Sequence, residues 1–156
     1  MPARAPLNAP FGIIEMPRLE FTVLWRDTDG MLKLQIVASN GPQSAAHETY
    51  IYPEALREFG ARLQEFPIEG AREVVLESGS DDPKCHEQIR LRAFLLLPTG
   101  RSAIEVQFET RGIPPACAQH RFYLTGEPAA FNRLGAELSA WNTNADSQLV
   151  SEWRDS

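Results

Sequence analysis

The sequence predicts an α+β protein: a duplicated strand-strand-strand-strand-helix unit, mainly antiparallel in its sheet, with two helices on one face. Three observations carry this. Residues 47–66 (HETYIYPEALREFGARLQEF) and 120–141 (HRFYLTGEPAAFNRLGAELSAW) match one another, each opening on His-x-x-Tyr and closing on an amphipathic helix. Within those helices Leu56, Phe59, Leu63 and Phe66 recur at the same steps as Phe131, Leu134, Leu138 and Trp141, and Gly60-Ala61 has its counterpart in Gly135-Ala136. Ahead of each helix, two alternating strands flank a glycine turn.

Taken in order, residues 1–10 carry three prolines and read as an irregular lead-in. Phe11 to Met16 is a short apolar run, expected as a strand and stopped by Pro17; its GIIEM compares with EVVLES at 73–78. Leu19 to Asp27 alternates, with Phe21, Val23 and Trp25 on one face and Glu20, Thr22 and Arg26 on the other. A two-residue turn at Asp29-Gly30 would oppose Trp25 to Leu34, Val23 to Ile36 and Phe21 to Ala38, which makes the apolar faces coincide. A third strand is expected over 45–52. Pro53 then opens a helix over 53–66, at the position where its missing N–H costs nothing.

The second half repeats the course: a strand over 73–78, a polar loop, a strand over 87–97 and a turn at Thr99-Gly100. That turn would oppose Leu95 to Ile104, Ala93 to Val106 and Leu91 to Phe108, and would set Arg90 against Glu109. A strand over 117–125 and a helix over 128–141 follow. The aromatic residues Trp25, Phe59, Phe66, Phe108, Phe131 and Trp141 all fall on predicted core faces. The expected organisation is one domain, with repeat halves at about 11–66 and 72–141. Residues 142–156 form an extended or mobile polar tail, patterned only by Leu149, Val150 and Trp153.

A net charge of −6, from 21 acidic and 15 basic side chains, argues against nonspecific binding to nucleic acid or to an anionic membrane. The longest apolar run, 93–97, is too short to span a bilayer, and residues 1–16 lack the continuous apolar stretch of a secretory signal, so the expected location is cytoplasmic. The oligomeric state is left open, a homodimer included.

Candidate chemistry is sparse. Cys85-His86 and Cys117-x-x-His120 offer two thiols and two imidazoles, yet Cys117 and His120 point to opposite faces of a strand and the first pair is adjacent, so no metal is expected. No phosphate loop, dinucleotide fingerprint or nucleophile elbow is present, and no cofactor is expected. The candidate binding residues are the polar markers of the repeat, His47 with Tyr50 and His120 with Tyr123, which would line a site between the halves. To these are added the loop pair Asp81 and Asp82 and an acidic stripe, Glu105 and Glu109, on one strand face.

The order Tyr50-x-x-Pro53-x-x-Leu56-x-x-Phe59-x-x-x-Leu63, the strand pair Leu91 to Leu97 and Ile104 to Phe108, and Phe122-x-Leu124 before a closing helix together resemble small uncharacterised bacterial α+β families. Some of these are immunity-protein-like partners of polymorphic toxins. The resemblance spans most of 19–141 and implies a non-catalytic protein that binds another protein. The other class left open is a small-molecule-binding protein or minor enzyme with its site between the halves.

Overall fold

The computed structural model describes residues 16–68, 72–79 and 86–155. Two four-stranded antiparallel sheets and two helices make an α+β fold. In the first unit come β1 (Arg18–Arg26), β2 (Leu32–Ser39), β3 (Ser44–Ile51) and α1 (Pro53–Gln64). The second has β4 (Glu73–Gly79), β5 (Glu87–Leu95), β6 (Ser102–Thr110), β7 (Ala118–Gly126) and α2 (Pro128–Ala140), and β8 (Gln148–Glu152) follows. The sheet orders are β3-β2-β1-β8 and β4-β5-β6-β7.

The fourth strand of the first sheet is therefore β8, from the segment expected to be a tail. It pairs with β1 so that Leu149 faces Phe21, just as Leu76 of β4 faces Leu91 of β5. Trp153 behind it is buried: its indole N–H donates to the Thr125 carbonyl at 2.9 Å, and its ring meets Phe131 edge-on. The run expected as a strand at 11–16 lies, Met16 apart, outside the described residues, as do Asp81, Asp82 and Cys85.

Both hairpins differ from the expected two-residue turns in the same way. Phe21 pairs with Ile36 and Val23 with Leu34; Leu91 pairs with Val106 and Ala93 with Ile104. Each register is displaced by two residues. Strand side chains alternate with period two, so an even displacement keeps Phe21, Ile36, Leu91, Val106 and their paired apolar neighbours on the buried face. A three-residue loop accounts for one residue of each shift; the other is an extra strand residue, between Val23 and Trp25 in the first hairpin and where Leu96 and Leu97 both donate to the Arg101 carbonyl in the second. Gly30 N–H donates to the Asp27 carbonyl and Asp27 N–H to the Met31 carbonyl; Gly100 to Leu97 and Leu97 to Arg101 repeat the pattern. Gly30 and Gly100 have φ of 96° and 107°, in the left-handed region that suits glycine. In this register Arg90 faces Gln107, not Glu109.

The two units superpose in order, but not at the expected polar markers. Ile36 pairs with His47 where its counterpart Val106 pairs with Phe122; Ile51 and Pro53 then fall on Gly126 and Pro128, and Leu56 on Phe131. His47 is thus the counterpart of Phe122 and not of His120, and Tyr50 is the counterpart of Thr125 and not of Tyr123. The shared His-x-x-Tyr spacing is a coincidence of sequence, offset from the structural repeat.

The core is apolar and continuous, from Leu19, Phe21, Leu34 and Ile36 through both helices to Leu91, Ile104, Val106 and Phe108. The helices meet at Gly60 and Gly135. Asn132 of α2 donates to the Leu63 and Phe66 carbonyls at 2.8 and 2.6 Å, tying the end of α1, where the Leu63 carbonyl also accepts from the Phe66 N–H, to the second helix.

Candidate interaction surfaces

Three places hold the polar and aromatic groups that packing does not absorb. The first is the seam where the inner faces of the two sheets meet. His47, on β3, is 8% exposed and stacks on Phe108 of β6 with centroids 5.5 Å apart. His120 of β7 pairs across the ladder with that same Phe108 and is exposed. Burial holds the His47 imidazolium below its ordinary range, against the pull of the Glu87 carboxylate, and His120 depresses it further. Thr49 and Ser78 hydroxyls hydrogen-bond across the seam at 2.6 Å, Ser78 donates to the Tyr50 carbonyl at 3.0 Å, and Asn40 donates to the Tyr123 carbonyl at 3.0 Å.

The tyrosine side chains are not part of that seam. Strand alternation carries Tyr50 to the outer face of the first sheet and Tyr123 to the outer face of the second. Of the four residues expected to converge between the halves, the two histidines flank Phe108 and the two tyrosines point away from them.

The second place is the outer face of the second sheet. Arg92, Glu105 and Tyr123 are neighbours across β5, β6 and β7. Glu105 is only 2% exposed. Arg92 Nε and Arg121 Nε donate to its two oxygens at 3.0 and 2.8 Å, Arg90 lies 3.5 Å away, and the Tyr123 hydroxyl donates at 3.2 Å. Burial by itself would raise the Glu105 carboxyl, but the bonds from Arg92 and Arg121 outweigh it and hold it below the usual carboxylate range. Glu109 accepts from Arg111 at 3.0 Å and from Gln119 at 2.9 Å. The expected acidic stripe is thus sheathed by guanidinium groups. Phe94 completes this face, covered by Arg92 at 4.1 Å and by the edge of Tyr123.

The third place is the outer face of the first sheet, which sequence reasoning missed. A register shift between Val23 and Trp25 inserts one residue into β1, so that Trp25 pairs with Lys33. Alternation would have buried Trp25 beside Val23. The bulge instead leaves Leu24 and Trp25 on the solvent side, and Trp25 is 52% exposed. Lys33 sits between Trp25 and Tyr50, which is 50% exposed, with its ammonium 6.0 Å from the Tyr50 ring and 3.3 Å from Glu48. In the other unit β5 keeps regular pairing through Leu95 and Ser102, and its outer aromatic, Phe94, is covered. The one sequence signal is Leu24, an apolar residue on the polar side of the β1 alternation, which by itself does not distinguish a bulge from an exposed leucine.

Cys117 is exposed just before β7, and among the described residues no group of three or more His, Cys, Asp or Glu side chains is placed to hold a metal ion. No described helix is long and apolar enough to cross a membrane.

No family model matches the sequence, and no curated protein matches it. Among solved structures the chain is similar to that of the plant transcriptional regulator PBF-2, at 10% identity over 81% of this chain and 75% of that one, with a TM-score of 0.44. At that level the likeness carries no argument about what this chain does.

Proposed function

We propose that this chain is a non-catalytic, cytoplasmic module that binds another protein on the outer face of its first sheet, around Trp25, Lys33 and Tyr50. The observation that carries the reading is the bulge in β1. Exposing Trp25 forgoes the burial of a large ring, and a bulge that re-aims a side chain is a local feature, not a by-product of the fold. Trp and Tyr are the side chains that dominate binding energy when a partner desolvates them. Leu24 widens the apolar area, and the acidic chain favours a partner with basic groups at its rim. An immunity-like role is the narrower form of this reading, in which the contact neutralises a toxic protein.

Two features weigh against a small-molecule site between the halves. His47 is packed against Phe108 in a hydrogen-bonded seam, and Tyr50 and Tyr123 lie on opposite outer faces.

The test compares proteins captured by the immobilised chain with those captured by the double variant Trp25→Ala/Tyr50→Ala and by Arg121→Ala. The expected result is a specific partner lost from the double variant and kept by Arg121→Ala, all three chains being folded by circular dichroism. A partner retained by the double variant would overturn the reading.

A further inference from the structure

His47 occupies a position where its counterpart in the second unit is an apolar ring. Phe122 stands in the same place on β7, buried like His47, so packing at this point does not require an imidazole. The imidazole also carries a cost that phenylalanine avoids. Its Nε2 is buried and has no hydrogen-bond partner among the described residues. Its ring lies nearly flat on Phe108, at 23° between planes, and this contact joins the first sheet to the second.

We propose that His47 makes the seam between the two sheets an acid-labile joint, closed while the imidazole is neutral and loosened when it takes a proton.

A neutral ring serves as an aromatic plate and tolerates one dry nitrogen. A protonated ring has two N–H donors and a full charge, and Nε2 faces no acceptor in the seam. The groups around it do not fully compensate. β5 presents the Glu87 carboxylate, β3 itself carries Glu48, and β7 presents His120, which repels a second positive charge. β6 offers only the Phe108 ring, and the Ser78 hydroxyl of β4 is already engaged by Thr49 and the Tyr50 carbonyl. The proton is therefore accommodated by moving β3 away from Phe108, at the expense of the Thr49–Ser78 and Asn40–Tyr123 hydrogen bonds.

The sign follows from the neutral form being favoured in the folded chain. The unfolded chain binds the proton first, at about pH 6.5, so this contribution to stability is complete above that value and is lost as pH falls below it. The loss approaches about tenfold in the folding equilibrium constant per pH unit, the limit for a single proton.

The experiment is urea unfolding of the full chain between pH 7.5 and 5.0, for the parent, His47→Phe and His47→Gln. The parent should lose stability below about pH 6.5 and both variants should stay level across the window; Gln serves if Phe does not fold. Amide hydrogen exchange in the parent at pH 5.5, corrected for intrinsic rates, should rise in β3 and β6 more than in the helices. Equal pH slopes in parent and variants, or a His47 resonance titrating at or above its ordinary value, would overturn the proposal.

Discussion

Gly60 and Gly135 touch backbone to backbone. A methyl group on Gly60 would sit 2.7 Å from the Gly135 carbonyl oxygen, and one on Gly135 would sit 2.5 Å from the Gly60 carbonyl oxygen. The obstacle on each side is helix backbone, which cannot swing aside as a long side chain can. The two glycines therefore set how closely α1 and α2 approach, and their exchange of contacts mirrors the duplication of the chain.

Alanine normally stabilises a helix interior relative to glycine by about 1 kcal/mol. Here the clash wins, and Gly60→Ala or Gly135→Ala should each lower stability by about 2 kcal/mol or more. The double variant should cost less than the sum, because the first methyl already separates the helices. Chemical denaturation of the four proteins checks both statements.

Trp25 and Trp153 should respond in opposite ways. Trp25 is half exposed on a sheet face, so Trp25→Ala should change stability by no more than about 0.5 kcal/mol. Trp153 is buried against Phe131 and stands where Gly126 leaves room for it, and Trp153→Ala should cost about 3–5 kcal/mol. Thermal melts of the two variants distinguish a recognition tryptophan from a packing one.

Removing residues 148–156 should do more than remove one side chain. It uncovers the β1 edge from Arg18 to Thr22 and the Phe21 side of the core, and it takes Asp155 away from Arg101 and Thr125. An uncovered edge with an apolar flank is a template for pairing with another chain. The shortened protein should be less stable and should associate with rising concentration, measured by light scattering.

Glu105 makes an acid-side prediction separate from that of His47. Its folded carboxyl lies below the ordinary range, so its contribution is present above about pH 4.5 and is lost as pH falls below that. Glu105→Gln should flatten the fall in stability on acidification. Glu105→Ala should cost about 2 kcal/mol at neutral pH, less than a fully buried pair because Arg121 remains largely in water. Urea midpoints from pH 7 to pH 3 read both effects.

The sequence by itself determined the class of the fold, the duplication and most of the core. Those properties live in local periodicity: two-residue alternation in the strands, helical spacing at Leu56 to Phe66 and Phe131 to Trp141, and a glycine at each helix crossing. The hairpin registers came out displaced, yet the buried faces survived, because parity and not exact pairing decides which side chains face the core. Only the tertiary structure decided the rest. One inserted residue in β1 turned Trp25 outward; Leu24 interrupts the alternation there, but only the pairing with β2 shows which side chain is displaced. β8 completed the first sheet across the whole length of the chain, with five residues too weakly patterned to announce a strand. Glu105 disappeared beneath arginines on the two flanking strands, and His47 matched Phe122 and not His120. The β8 pairing joins residues distant in sequence, and the bulge and the His47 match turn on exact register within a hairpin; local pattern is silent on both, and three-dimensional contact decides.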